Sequence, residues 1–258
     1  MAEFGEARFE VGSVISRTFE TIGSNALLFI GLALILSGLP AFAINWWQVT
    51  NLPMGGQPEP STVFTGAYLA PIFAGWLVSV VSGAVLQAAL TRATVTHLSG
   101  EKPNFAQCLT VGLTMILPMI AIGFLLAFGV FLAILFLIVP GIILWLCWSV
   151  VVPVYVQEKV GVFEAFGRSL ELTRGARWRI FLTMLVIVIA LWLLSIPAGM
   201  VTVAALAATG SVLATALLGG VIGALASMVM VTAQSSIYVE LRNVKEGVAP
   251  ADLEAIFA

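Results

Sequence analysis

The sequence predicts an all-α polytopic membrane protein, with six transmembrane helices as three hairpins, each preceded by a short amphipathic interfacial helix. Three observations carry this expectation. Hydrophobic residues make up 60% of the chain and charged residues only 9%, with a mean hydropathy of +1.10, whereas soluble domains carry about 25% charged residues. Charge is also segregated: it falls in residues 1–20, 92–102, 158–179 and 240–254. Between these patches lie Thr21–Thr91, Pro103–Gln157 and Ile180–Val239, in which Glu59 is the one Asp, Glu, Lys, Arg or His. The third observation is turn chemistry near the middle of each apolar block: "NLPMGGQPEPS", then "VPGI" at Pro140 and Gly141, then "AALAATGS".

A membrane-spanning helix needs about 20 apolar residues, so each block holds two spans and a turn. An interfacial helix is expected within residues 1–24, spans at about 25–47, 64–90, 112–138, 140–157, 178–200 and 211–239, and a tail over 240–258, all in a single membrane domain 1–258. Pro71, Pro118, Pro153 and Pro197 should kink or end their spans. The first twenty residues hold Glu3, Glu6, Glu10 and Glu20 and no apolar core, so no cleavable signal peptide is expected.

All 11 Lys and Arg residues fall in the termini or in the loops between hairpins. Basic residues stay on the cytoplasmic side, so both termini and both inter-hairpin loops are expected there. A short repeat supports three units: "VGSVISRTFE" (Val11–Glu20) aligns with "VFEAFGRSLE" (Val162–Glu171), with Arg17 meeting Arg168, and "NFAQCL" holds the corresponding place before the second hairpin. In the 162–173 segment, Val162, Phe163, Phe166 and Leu170 form an apolar face at helical spacing. Glu164 and Arg168 have the spacing of an i,i+4 pair, and Gly175 should end the helix.

The stretch "PGIILWLCWSVVVPVYVQEKVGVFEAFGRSLELTRGARWRIF" resembles the bacterial membrane-domain family attached to some glycerophosphoryl diester phosphodiesterases. The matching positions are Pro140, Gly141, Pro153, Ala165, Arg168, Ser169, Leu172 and Gly175, with "SGEKPNF" and "YVELRNVKEG" similar to other junctions of that family. The resemblance implies a six-span inner-membrane module; some members of that family carry a soluble phosphodiesterase domain after the membrane part, and none is expected in this sequence.

Catalytic chemistry is not expected. His97 is the one histidine, and Cys108 and Cys147 lie in apolar stretches without metal-ligand spacing, so neither a metal site nor a cofactor is predicted. A net charge of −2 argues against a nucleic-acid partner. The expected partners are membrane lipids, with a second membrane protein or another copy of the chain as a further one. Arg17, Arg168, Arg174, Arg177 and Arg179 are candidate ligands for lipid headgroups, because arginines at headgroup depth bond phosphate in bidentate fashion. Gly75, Ser79 and Gly83 in the second span, and Gly219, Gly223 and Ser227 in the sixth, are spaced for close helix packing or a partner face. Gln87, Thr232, Gln234, Ser235 and Ser236 should hydrogen-bond between helices. The leading expectation is a non-catalytic protein that organises or binds lipid or a partner complex. The alternative is a transporter or lipid-handling permease for a neutral or amphipathic substrate, and an enclosed polar cavity would favour it.

Overall fold

The computed structural model describes residues 9–51 and 65–247, and every element in it is helical. Apart from Asn51, the turn "NLPMGGQPEPS" with its Glu59 lies outside the described residues, as do residues 1–8 and the last residues of the tail. Six helices are long and apolar enough to cross a membrane, spanning Ala26–Gln48, Tyr68–Leu98, Ile116–Phe136, Ile138–Glu158, Arg177–Thr209 and Val212–Glu246.

The elements run in order. Helix α1 covers Val11–Ser24. The first span comprises α2 (Ala26–Ala33), a π-helical turn (Leu34–Gly38) and α3 (Leu39–Asn51). Helix α4 (Gly66–Leu98) is the second span, and α5 (Phe105–Thr114) precedes the third, α6 (Ile116–Phe136). The fourth span is broken at Trp148–Val150 into α7 (Ile138–Cys147) and α8 (Val151–Glu158). Helix α9 (Val162–Thr173) leads to α10 (Arg177–Thr209), the fifth span, and α11 (Val212–Glu246) is the sixth.

Local chemistry explains several boundaries. The Asn104 side chain accepts from the Ala106 amide at 2.9 Å and starts α5, while Ser211 accepts from the Ala214 amide at 3.3 Å and starts α11. Between α10 and α11, Gly210 takes φ +59°, a conformation that other residues adopt at a penalty. One turn expectation needs correction. The α6–α7 turn is Leu137 alone, and Pro140 and Gly141 lie inside α7. Proline is tolerated there because first-turn amides have no helical acceptor, and Gly141 lets α7 lie close against the end of α6, since a Cβ would overlap Ile134. Of the two outcomes expected at Pro197, a kink or an end, the end does not occur: the fifth span continues past 200 to Thr209.

Helix α11 is the post of the bundle. It touches α1, α2, the π turn, α3, α4, α8, α9 and α10, and the first span lies mainly along it rather than along the second. The fourth span is innermost: half of its most apolar window is buried, against 11–22% for the other five. Its Val150, Val151 and Val154 pack in one core with Ile122, Phe166, Ile180 and Tyr238. A second core joins Phe29, Leu32, Leu90, Cys108, Ala224 and Met228. Helix α5 therefore contributes to the core, and its Gly112 lies so close to α4 that a Cβ would stand 2.7 Å from the Val85 carbonyl oxygen.

Candidate functional site

Two of the five candidate arginines are engaged by α11. Arg17 lies 2.6 Å from Glu240, which Ser13 also reaches at 3.2 Å. Arg168 donates to Glu158 at 3.0 Å, also pairs with Glu246, and stands 3.6 Å from Glu171. Arg242 holds Glu246 from the other side at 2.8 Å, and the Tyr238 hydroxyl donates to Glu158 at 3.0 Å. Burial works against the Arg168 charge, but the bonds and fields of Glu158 and Glu246 outweigh it and raise the pKa.

The expected Glu164–Arg168 pair is not formed. Glu164 instead accepts from the Gly161 amide at 3.3 Å at the start of α9, where an acid also meets the positive end of the helix dipole. The face that α9 turns into the bundle is likewise different from the expected one. It consists of Ala165, Phe166, Ser169, Leu172 and Thr173, whereas Phe163 is 79% exposed and Leu170 points outward with it. Ser169 and Thr173 donate to the Cys147 carbonyl at 2.8 and 3.3 Å, at the break in the fourth span. These polar residues face inward because the break has a backbone acceptor to offer them.

The aligned repeat has matching environments. Val14 and Ala165, Thr18 and Ser169, and Thr21 and Leu172 are buried, Phe19 and Leu170 are exposed, and Arg17 and Arg168 each bridge to a glutamate of α11. The sequence does not single out their glutamate partners, because acids and cations interleave in the same patches: Glu158, Glu171, Glu240 and Glu246.

The other three arginines surround the start of α10. Arg179 donates to the Phe9 carbonyl at 2.9 Å and ties down the chain before α1. Arg174 is exposed, with no side-chain partner among the described residues. Arg177 lines a groove of about 540 Å³ with Val139, Ile142, Ile143, Leu146, Gly175, Trp178 and Phe181. Its Nε is buried without a hydrogen-bond partner, an expensive state for a charged donor. Trp178 is 80% exposed at the rim and meets Phe181 edge to face. The groove is thus apolar along α7, with one incompletely bonded guanidinium in its wall. The five arginines do not converge on one site.

The small-residue rows also separate by environment. On α11 the buried row is Ala216, Gly220, Ala224 and Met228, one residue along from Gly219, Gly223 and Ser227. Gly220 makes the close approach, since a Cβ there would stand 2.8 Å from the Gly38 carbonyl oxygen. A Cβ on Gly223 would meet nothing within 4 Å, and the same holds for Gly83. Gly83, Ser79 and Ser227 line a cavity of about 400 Å³ with Leu36, Ser37, Pro40, Ala41, Ser82, Leu86, Gln87 and Val231. Gly75 lines the adjoining cavity, which also includes Pro40 and Ser79.

The bonds expected between the second and sixth spans form at Gln87, Gln234 and Ser235 but not at Thr232 and Ser236. Gln87 donates to Gln234 at 3.5 Å and Ser235 to Thr91 at 3.3 Å, while Thr232 and Ser236 bond carbonyls of their own helix. His97 lies 3.0 Å from Asn25, and no metal-binding group of three or more ligands occurs among the described residues. Comparison with family models, curated proteins and solved structures found no match to the chain.

Proposed function

We propose that this chain is a non-catalytic, multi-pass protein of the bacterial inner membrane that binds anionic lipid in the groove between α7 and the start of α10. The chain threads as three hairpins with both termini cytoplasmic, and α1 and α9 lie at the inner interface. The observation that carries the reading is Arg177, whose buried Nε lacks a partner in an otherwise apolar groove. A phosphodiester supplies what is missing: two oxygens for the guanidinium, and acyl chains for Val139, Ile142 and Ile143. Trp178 at the rim suits an indole's preference for the headgroup layer. Arg17 and Arg168 fix α1 and α9 to the bundle through their glutamates, so the lipid role falls to Arg177, with Arg174 beside it.

The test is lipid mass spectrometry on the full chain purified from its membrane. Arg177→Gln should lose co-purifying anionic phospholipid while retaining zwitterionic lipid, and Arg179→Gln should retain both. Unchanged anionic lipid in Arg177→Gln sinks the reading. The permease alternative draws on a separate observation, the polar cavity between the first, second and sixth spans.

A further inference from the structure

The cavity beside the π turn lies within apolar spans, yet its wall is polar. Ser37, Ser79, Ser82, Gln87 and Ser227 all line it. Ser79 and Ser227 give their protons to the Gly75 and Gly223 carbonyls, each at 2.9 Å, which leaves oxygen lone pairs for another donor. Gln87 makes one long bond to Gln234, leaving part of its carboxamide free. Pro40 has no amide proton to return to the carbonyl of Leu36, and Leu36 and Pro40 both border the cavity.

The backbone fault points to the same place. The first span departs from α geometry only at Leu34–Gly38, where the Leu39 amide reaches back to the Leu34 carbonyl. Irregular backbone at membrane depth is tolerated where protein covers it or where it lines a hydrated cavity, and π turns often mark functional sites. Ser79 and Gly83 are exposed, so the cavity opens sideways, and the adjoining cavity continues it past Ile44 to Trp47, Gln48 and Trp76.

We infer that this cleft between the first, second and sixth spans binds an uncharged, hydroxyl-rich molecule. No Asp, Glu, Lys, Arg or His lines it, which selects against charged ligands. The lining hydroxyls and the Gln87 carboxamide offer acceptors together with donors, so the complementary ligand is neutral and both donates and accepts: a polyol. That chemistry occurs in a free solute and in the uncharged glycerol or sugar head of a lipid entering sideways. The volume falls in the usual small-molecule range of about 300–1,000 Å³.

The experiment introduces Ser82→Cys into the full chain in phosphatidylcholine nanodiscs and follows alkylation by iodoacetamide. The native Cys108 and Cys147 are buried, and burial raises the Cys108 pKa, so the unmodified chain sets the baseline. Leu77→Cys, on the exposed face of the same helix, is the control. Thiolate forms in water and not in hydrocarbon, so Ser82→Cys should react on the order of tenfold faster than Leu77→Cys. Glycerol in solution should slow it if the source is a free polyol. Glucosyl diacylglycerol in the nanodisc should slow it if the source is a lipid head. Gly83→Leu, whose side chain enters empty space, should abolish the fast reaction without lowering thermal stability. Ser227→Cys, across the cleft, should respond in the same way. Equal rates at positions 82 and 77, protection by neither polyol, or protection by sodium alone would each overturn the inference.

Discussion

Replacing Gly220 by alanine tests how the sixth span is held against the first. The added Cβ would stand 2.8 Å from the Gly38 carbonyl oxygen, 3.3 Å from the Phe42 amide nitrogen and 3.4 Å from the Phe42 Cβ. The first two neighbours are backbone, so no side chain can rotate away and the first span must retreat. Such overpacking costs about 1–3 kcal/mol. Alanine also improves helix propensity by about 0.5–1 kcal/mol over glycine, which reduces but does not cancel a loss near the middle of that range. Gly223→Ala receives the same propensity gain with nothing within 4 Å of its Cβ. The two variants should therefore differ by the overpacking alone, about 1–3 kcal/mol, with Gly223→Ala at or above the parent. Reversible unfolding in mixed micelles, followed by tryptophan fluorescence, measures the difference. Equal stability of the two variants, or greater loss at Gly223, would refute the assigned seam.

Other outcomes follow from the same reasoning. Gly112→Ala should destabilise the α4–α5 contact, where the Cβ would stand 2.7 Å from the Val85 oxygen, while Gly123→Ala, with nothing within 4 Å, should not; the same micelle titration reads both. Arg168→Gln leaves Glu158 and Glu246 facing each other without their shared cation, for a loss of about 1–3 kcal/mol, and Arg168→Lys should rescue it only partly because an ammonium lacks the planar fork. Phe166→Asp should lower yield sharply, since Phe166 is buried edge to face with Trp148, whereas Phe163→Asp on the exposed side should fold in detergent. Thr209→Cys should react in intact cells with an impermeant thiol reagent, and Gly161→Cys only after permeabilisation; the opposite pattern would reverse the proposed orientation.

The six apolar helices were legible because transfer into hydrocarbon is nearly additive along a short window, and so is the cost of a charge. Helix ends marked by local bonds were legible as well, as at Gly175 and in the turn at Gly210. The repeat linking Arg17 to Arg168 was visible as a pattern, and the structure pairs each member with a glutamate of α11.

Tertiary structure decided which side chains those arginines meet. Glu240 lies 223 residues from Arg17, and Glu246 lies 78 from Arg168, separations that no helical spacing encodes. It also decided which row of α11 faces the first span. A helix in lipid is apolar all round, so the contrast that marks the buried face of a soluble helix is missing. Gly219, Gly223 and Ser227 have the same spacing as Ala216, Gly220 and Ala224, and only the position of Gly38 and Phe42 on a neighbouring helix distinguishes the two rows. The π turn and the partnerless Nε of Arg177 belong to the same class. Each is defined by what approaches it in space, whereas the spans themselves are defined by what the chain does alone in hydrocarbon.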